Sequence, residues 1–365
     1  MKKISMIVIV ILVFVICIAT YFNVKGKPVW VKTDKNVARL PKDISDIIYY
    51  ASMAPNSHNT QLWKVFVDLD NNNIKISMDK ERTLKEVDST NREAYISIGA
   101  FTENLVKAFE AYGYEAKLEI SDNDDELVSI IYRKINDNKI DNDTLDLIMK
   151  RHTDKSSFFN KNLNSDDVDR LLDGISNAVY FENGSESCDY LRKSAISAME
   201  QQAYDKNKAE ELSKWLRLSD EETIRNKDGL SAEQLGLTGI IKTFYYMSTT
   251  HESTTQDSYA KQAVDITKKQ VENCSGFLII TGKTETKELI KTGMLLESIW
   301  LRAVKLGISV HPMSQVLEES PYCEEIDEKL RTEQPVQMVL RVGYVKDYGQ
   351  NNRIRRDLAD YVTVK

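Results

Sequence analysis

Cysteine, histidine and proline are scarce in this sequence of 365 residues, which has four cysteines, four histidines and six prolines. The cysteines form no CxxC pair, and the histidines lack a metal-binding spacing such as HExxH. The sequence therefore suggests no metal site. An excess of positive charge is also absent, since the formal net charge is −7. This balance argues against a nucleic-acid-binding surface, which needs a basic stripe to neutralise phosphates.

One long apolar run is present at the amino terminus, where Lys2 and Lys3 are followed by MIVIVILVFVICIATYF at 6–22. The run predicts a membrane-active helix, slightly shorter than the roughly 20 residues that span a bilayer. A retained anchor and a cleaved signal peptide both fit this length, and the poor cleavage motif favours the anchor. Lysines lie on both sides of the run, so the positive-inside rule only weakly favours a folded domain outside the cytoplasm.

The rest of the chain alternates helical and strand patterns, which predicts an α+β fold. The polar segment 136–143 has too few apolar residues to pack, and we interpret it as a boundary between two halves. A second polar stretch, at about 219–262, predicts an insertion. The expected divisions are an anchor or signal at 1–22, a tether at 23–40, a first half at 41–135 and a second half at 145–365.

Two segments of the chain share the same glycine spacing. Residues 99–113 read GAFTENLVKAFEAYG and residues 293–307 read GMLLESIWLRAVKLG, with Glu103 and Glu297 at the same offset. Each pattern predicts a helix that a glycine ends. The likeness is either a chance similarity of two amphipathic helices or the trace of an internal duplication.

A polar loop, APNSHNTQLW at 54–63, lies between a predicted helix and a predicted strand. Pro55 interrupts the helix and leaves the N–H groups of Asn56 and Ser57 without helical partners. With the short polar side chain of Asn59, these groups can meet a planar, acceptor-rich ligand edge. An ordinary polar turn has the same composition, so the loop alone leaves both interpretations open.

A second polar segment, RHTDKSSF at 151–158, places Arg151 and Lys155 on either side of the Thr153 hydroxyl. Side chains at i, i+2 and i+4 of an extended chain point the same way, so these groups can meet one phosphate monoester. A solvated basic turn is the alternative. Further along, Arg355 and Arg356 follow a predicted strand and are basic candidates too, although nearby aspartates can pair with them.

These motifs resemble those of the FMN-dependent nitroreductase family. The loop 54–63 is similar to the family's APSSxNxQPW, with differences in the SS pair and at Leu62, and 151–158 is similar to its phosphate signature R-[RH]-S-x-[RK]-x-[FY]. RVGY at 341–344 resembles the family's last strand, and HPMSQ at 311–315 the segment beside the flavin edge. The FMN-binding residues that the resemblance implies are Pro55, Asn56, Ser57, Asn59, Arg151, His152, Thr153, Lys155, Ser314, Gln315, Arg355 and Arg356.

The order of the motifs differs from that of an ordinary nitroreductase, in which the phosphate signature comes first and a dimer completes each site. Here the loop precedes the phosphate motif, and no second copy of the loop follows. This order is similar to the Acg-like branch of the family. It implies a mixed, mainly antiparallel sheet flanked by helices, with two pseudo-equivalent halves that form one site, so that a monomer suffices.

The resemblance implies an oxidoreductase with FMN as cofactor, which takes hydride from NAD(P)H and passes electrons to a small aromatic or quinone-like acceptor by ping-pong chemistry. We expect no catalytic side chain, because the flavin itself carries the hydride. An FMN-sequestering protein with little turnover is the alternative. In that case the insertion at about 219–262 would cover the flavin ring.

Overall fold

The computed structural model describes residues 20, 22–136 and 140–365. The predicted anchor therefore lies outside the described residues except for Thr20 and Phe22, and so does part of the predicted boundary at 136–143. Within the described ranges, no helix is both long enough and apolar enough to cross a membrane.

The first sheet is formed mainly by the first half of the chain. Its strands are β1 (Trp63–Asp68), β2 (Asn73–Met78), β3 (Tyr114–Asn123), β4 (Glu126–Lys134) and, from the carboxyl end, β9 (Val362–Val364). They lie in the order β3-β4-β2-β1-β9, with β9 parallel to β1 and the other neighbours antiparallel. β1 and β2 form a hairpin. β9 belongs to the predicted second half, 145–365, yet it completes the sheet of the first.

The second sheet contains β5 (Ala178–Glu182), β6 (Gly276–Thr281), β7 (Ile308–Pro312) and β8 (Val336–Tyr344). Their order is β5-β6-β8-β7, and all neighbours are antiparallel. Every residue of β6 is buried, as its nearly continuous apolar sequence predicts. Read from its other edge, the second sheet has the order β7-β8-β6-β5. If β5 to β8 are matched in chain order with β1 to β4, this is the order β3-β4-β2-β1 of the first sheet.

Helices surround both sheets, which confirms the predicted α+β class. They are α1 (Lys42–Ala51), α2 (Arg92–Ala111), α3 (Asn142–Lys150), α4 (Ser165–Leu172), α5 (Glu186–Tyr204), α6 (Lys206–Trp215), α7 (Asp220–Asn226), α8 (Gly239–Ser248), α9 (Asp257–Glu272), α10 (Thr286–Leu306) and α11 (Tyr322–Leu330). Side chains of Asp141, Ser185 and Asp205 accept hydrogen bonds from the first turns of α3, α5 and α6. The polar region at about 219–262 contains α7, α8 and the start of α9.

The two long helices α2 and α10 contact each other backbone to backbone. A Cβ atom added to Gly99 would lie 1.9 Å from the Ile290 carbonyl oxygen, and one added to Gly293 would lie 1.9 Å from the Ile96 carbonyl oxygen. The contact is reciprocal, as at a two-fold interface, where each partner presents the same patch. Ile290 packs into the core of the first sheet, whereas Ile96 packs into the core of the second. The two helices therefore join the two layers into one core.

Both helices end as the sequence predicts. Gly113 follows α2 with φ +77°, and Gly307 follows α10 with φ +69°, a left-handed conformation that suits glycine. Helix α1 begins after Pro41, which takes the N-cap position, and Asp43 lies in its first turn. The helix ends at Ala51, before Pro55.

We expect Gly99→Ala or Gly293→Ala to destabilise the protein by about 1–3 kcal/mol, because the added methyl group overlaps a backbone carbonyl. Glycine-to-alanine changes inside an uncrowded helix stabilise it instead, by roughly 0.5–1 kcal/mol. The sign of the change in the free energy of unfolding, measured with urea, therefore shows whether the two helix backbones are in contact at this position. A more stable variant would contradict the packing described here.

Candidate functional site

A cavity of about 330 Å³ is lined by residues of 54–97 and of 151–355, which include parts of both predicted halves. Its walls include the loop 54–59 and α2 from the first half, and 151–155, 311–315 and 350–355 from the second. The volume lies within the usual range of about 300–1,000 Å³ for sites that bind small molecules. The cavity therefore has the size of a ligand site and depends on both halves.

Most of the predicted cofactor-binding residues line this one cavity. Those that do are Pro55, Asn56, Ser57, Asn59, Arg151, His152, Thr153, Lys155, Ser314, Gln315 and Arg355. They come from four segments that are distant in sequence, and the fold brings them together. Arg356 is the exception, because its guanidinium donates to the carbonyl oxygens of Gln61 and Asp360 at 3.0 and 2.8 Å.

The loop of the first half keeps an irregular backbone. His58, Asn59 and Gln61 all have positive φ angles, between 48° and 52°. The Asn56 side chain accepts a hydrogen bond from the Gln61 N–H at 2.8 Å, which closes the turn. The amide group of Asn59 donates to the carbonyl oxygens of Gly229 and Ile354, so this side chain connects the loop to two segments of the second half.

Two arginines of the second half bind the carboxyl end of α1 in the first half. The Arg355 guanidinium donates to the carbonyl oxygens of Ser52, Met53 and Ala54, and Arg151 also donates to that of Met53. The last carbonyl groups of a helix lack partners within the helix and carry its negative dipole end. Cations are therefore favoured at this position, where they also join the two halves.

Arg151 is buried, and its positive charge is only partly compensated by a carboxylate. Its Nε lies 3.2 Å from Oε1 of Glu297, and its guanidinium lies over the Trp300 ring at 4.8 Å. Burial raises the pKa of Glu297 to about 7, so this carboxylate is not fully ionised near neutral pH. The Nη1 atom of Arg151 is buried without a hydrogen-bond acceptor among the described residues. One donor of a fixed cation is thus left for a ligand.

Lys155 and Arg355 are cations without an ion-pair partner in the described part of the chain. Among the described residues, no carboxylate lies within ion-pair distance of either side chain. Burial lowers the pKa of Lys155 to about 8, and burial together with nearby Arg151 lowers that of Arg355 to about 9. Cations removed from water without a carboxylate are costly, so this part of the cavity favours an anionic ligand.

Two neutral histidines lie beside Lys155. Burial, then the charge of Lys155, lowers the pKa of His58 to about 4. Burial and the charges of Arg341 and Lys155 lower the pKa of His311 well below its usual range. Both rings are therefore uncharged at pH 7 and act there as hydrogen-bonding groups or packing surfaces. The positive charge of this region comes from the lysine and the arginines.

Another part of the wall is acidic, which the motifs did not indicate. Ser57 donates a hydrogen bond to Glu93, and Gln202 donates to Oε2 of Glu318 at 2.6 Å. Burial, and then the charge of Glu93, raises the pKa of Glu318 well above its usual range. The only sequence signal was its position three residues after Gln315, next to a predicted site segment.

No family model matches this chain. A stretch of 71 residues, 20% of the chain, is 37% identical to a probable NAD(P)H nitroreductase, PigM, from a Serratia species, and it covers 20% of that protein. The chain thus matches about a fifth of the length of this relative. Among solved structures, the FMN-dependent nitroreductase NfnB from Mycobacterium smegmatis, in complex with NADPH, aligns with a TM-score of 0.35 and 11% identity. That alignment covers 59% of this chain and 94% of the other.

A Lys155→Met variant tests whether the cavity holds an unpaired cation. The pKa of Lys155 in the folded protein, about 8, lies below the usual value of 10.5. Between these pH values the unfolded state binds more protons, so the stability of the ligand-free protein rises with pH. We therefore expect the variant to be more stable than the wild type at pH 7, and the difference to shrink between pH 8 and 10.5.

The measurement is urea-induced unfolding of the two ligand-free proteins across this pH range. Lys117→Met is the control, because Lys117 is exposed on β3. Its stability difference from the wild type should stay constant over the same range. If the difference in stability between Lys155→Met and the wild type did not change with pH, the ammonium group of Lys155 in the wild type would have a partner or be solvated.

Proposed function

We propose that this chain is an FMN-dependent NAD(P)H oxidoreductase of the nitroreductase type, with one site built by its two halves. The observation that carries the proposal is the convergence of the loop 54–59, the motif at 151–155 and the basic segment 350–355 on one cavity. None of these segments alone distinguishes a ligand site from a polar turn. Their meeting in a cavity of suitable size favours the ligand site.

The cationic part of the cavity fits the phosphate of FMN. The unpartnered Nη1 of Arg151, the ammonium of Lys155 and the guanidinium of Arg355 lie in the wall, and the Thr153 hydroxyl lines it too. A phosphate monoester supplies the negative charge that these cations lack and accepts several charge-assisted hydrogen bonds. In this proposal Arg151, Thr153, Lys155 and Arg355 hold the phosphate.

The remaining segments suit a planar ring. Pro55, Asn56 and Ser57 contribute backbone and short polar side chains from the first half, and Ser314 and Gln315 contribute them from the second. When bound, the flavin supplies hydride transfer between NAD(P)H and a small aromatic or quinone-like acceptor. The protein binds, orients and shields this ring. No side chain is assigned a proton-transfer role.

We also propose that the two halves arose by duplication, as in the Acg-like branch, so that one chain holds one site. The matching strand orders of the two sheets support this proposal. So does the reciprocal packing of Ile96 and Gly99 of α2 against Ile290 and Gly293 of α10, at positions with the same offset. An ordinary dimeric enzyme would make this contact between two chains.

An FMN-sequestering protein is the second candidate, and one observation favours it. Leu230, Glu233 and Gln234 of the predicted insertion line the cavity. The Glu233 carboxylate forms an ion pair with Lys242 at 2.5 Å and accepts a hydrogen bond from the Val29 N–H at 3.0 Å, which fixes this wall. A fixed wall can keep hydride donors away from the ring and leave the protein as a flavin store.

We also propose that residues 6–22 are a retained membrane anchor. Their sequence is almost entirely apolar, and Lys2 and Lys3 precede it. This is the pattern of a segment that partitions into lipid. The site-bearing part of the chain would then work at a membrane surface.

The test is to bind FMN to the full chain in detergent and to add NADH or NADPH without oxygen. Flavin absorption that bleaches supports the reductase, and absorption that persists supports sequestration. We expect Lys155→Met to weaken FMN binding by roughly 10- to 100-fold, since a hydrogen bond to a charged group contributes about 1.5–3 kcal/mol. Riboflavin, which has no phosphate, should bind the variant and the wild type equally.

Lys117→Met again serves as the control and should bind FMN as the wild type does. A protein that takes up no FMN would rule out the flavin proposal. Equal losses of FMN and riboflavin affinity in Lys155→Met would place Lys155 away from the phosphate.

A further inference from the structure

Helix α8 exposes an apolar face. The side chains of Ile240, Ile241, Phe244 and Met247 are 55%, 61%, 54% and 63% exposed. Their spacing places them along one side of the helix. We call these four side chains the α8 face. Clustered apolar side chains of this size on a surface mark a site of contact with lipid or with another molecule.

The opposite side of α8 is polar and faces inward. Lys242 is fully buried, where its Nζ lies 2.5 Å from Glu233 and 2.7 Å from Asp220. The hydroxyl of Tyr246 accepts a hydrogen bond from the Ala232 N–H at 3.2 Å. A helix in water normally buries its apolar side and exposes its cations. In α8 the cation is buried and the apolar side chains are exposed. This arrangement is favourable where the surroundings of the protein are themselves apolar.

The α8 face adjoins the point where the amino-terminal apolar run ends. The Phe22 ring lies 5.1 Å from that of Phe244, centroid to centroid. The Gly239 N–H donates to the Gly26 carbonyl oxygen at 3.0 Å, and a Cβ on Gly26 would lie 2.6 Å from the Gly239 carbonyl carbon. Lys242 also donates to the Lys27 carbonyl oxygen at 2.8 Å. The chain just after 6–22 is therefore held against α8.

We propose that the α8 face docks into the surface layer of the lipid bilayer that receives residues 6–22. The inference rests on the membrane anchor proposed above and does not depend on flavin binding. A helix with one apolar face and an aromatic side chain lies in the membrane plane at the level of the headgroups. Because Phe22 ends the apolar run and touches Phe244, an anchored run brings the α8 face to the bilayer surface.

The docked face is linked to the cavity. Leu230, Glu233 and Gln234 line the cavity shortly before α8 begins, and the ion pair of Glu233 with Lys242 joins this wall to the helix. Docking thus holds one wall of the cavity close to the bilayer.

The test uses the full chain in phosphatidylcholine vesicles that contain a fraction of lipid with a diazirine in its acyl chain. After irradiation, mass spectrometry locates the lipid adducts. We expect adducts in 6–22 and in 239–248. Phe244→Asp should reduce the adducts in 239–248 several-fold, whereas Ile131→Asp should leave them unchanged. Ile131 is a matched control, because it is also 54% exposed but lies on β4.

The outcomes separate the docking from the anchor. Adducts in 6–22 alone would overturn the docking of α8 and keep the anchor. The same result is expected if a second copy of the chain covers the α8 face. Adducts in neither region would overturn both proposals. Adducts in 239–248 that Phe244→Asp does not reduce would also overturn the docking, because they would not depend on the apolar face.

Discussion

The architecture depends on the close contact of α2 and α10 at Gly99 and Gly293. Since neither position has room for a Cβ atom, the two helix backbones approach each other as far as sterics allow. Each helix then contributes an isoleucine to the core of the other layer. This exchange fixes the distance between the two sheets. Ile96, which is three residues before Gly99, also lines the cavity, so the helix contact lies next to the cavity wall.

The second constraint is electrostatic. Arg151 and Arg355 donate to backbone carbonyl groups at the carboxyl end of α1, which are neutral partners. Within the described part of the chain, Lys155 has no ion-pair partner. The site therefore keeps positive charge that a protein interior does not normally tolerate. These uncompensated cations lower the stability of the ligand-free protein. An anionic ligand in the cavity would compensate their charge and raise the stability again. If Lys155 binds the FMN phosphate, as we propose, stability and ligand binding are opposed at this residue.

Much of the fold follows from local sequence patterns, whereas the proposed site rests on motifs. The strands β1 to β4 and the helix α2 were predictable because alternating or helical spacing and flanking turn residues act over short distances. The pairing of β9 with β1 was not, since it joins the carboxyl end to the first sheet and depends on tertiary packing. Glu93, Glu318 and Trp300 were missed for a similar reason. Each lies on a helix or turn with no motif, and only the fold places it in the cavity wall.

Arg355 lines the cavity but its neighbour Arg356 does not, although the sequence offered both as candidates. It is adjacent to Arg355, yet successive side chains of an extended segment point in opposite directions, and Arg356 binds the carbonyl oxygen of Gln61 outside the cavity wall. Thr153 lines the cavity, whereas the neighbouring Asp154 accepts a hydrogen bond from Ser309 at 2.7 Å. The motifs predicted which segments would line a site, and the backbone conformation decides which of their side chains line the cavity.

We propose that one chain forms one complete FMN site from its two halves. Native mass spectrometry of the full chain, released from detergent after incubation with FMN, tests this most directly. We predict a monomer that carries a single FMN. A complex of two chains with two FMN molecules, together with monomers that carry none, would contradict it, because the site would then need a second chain.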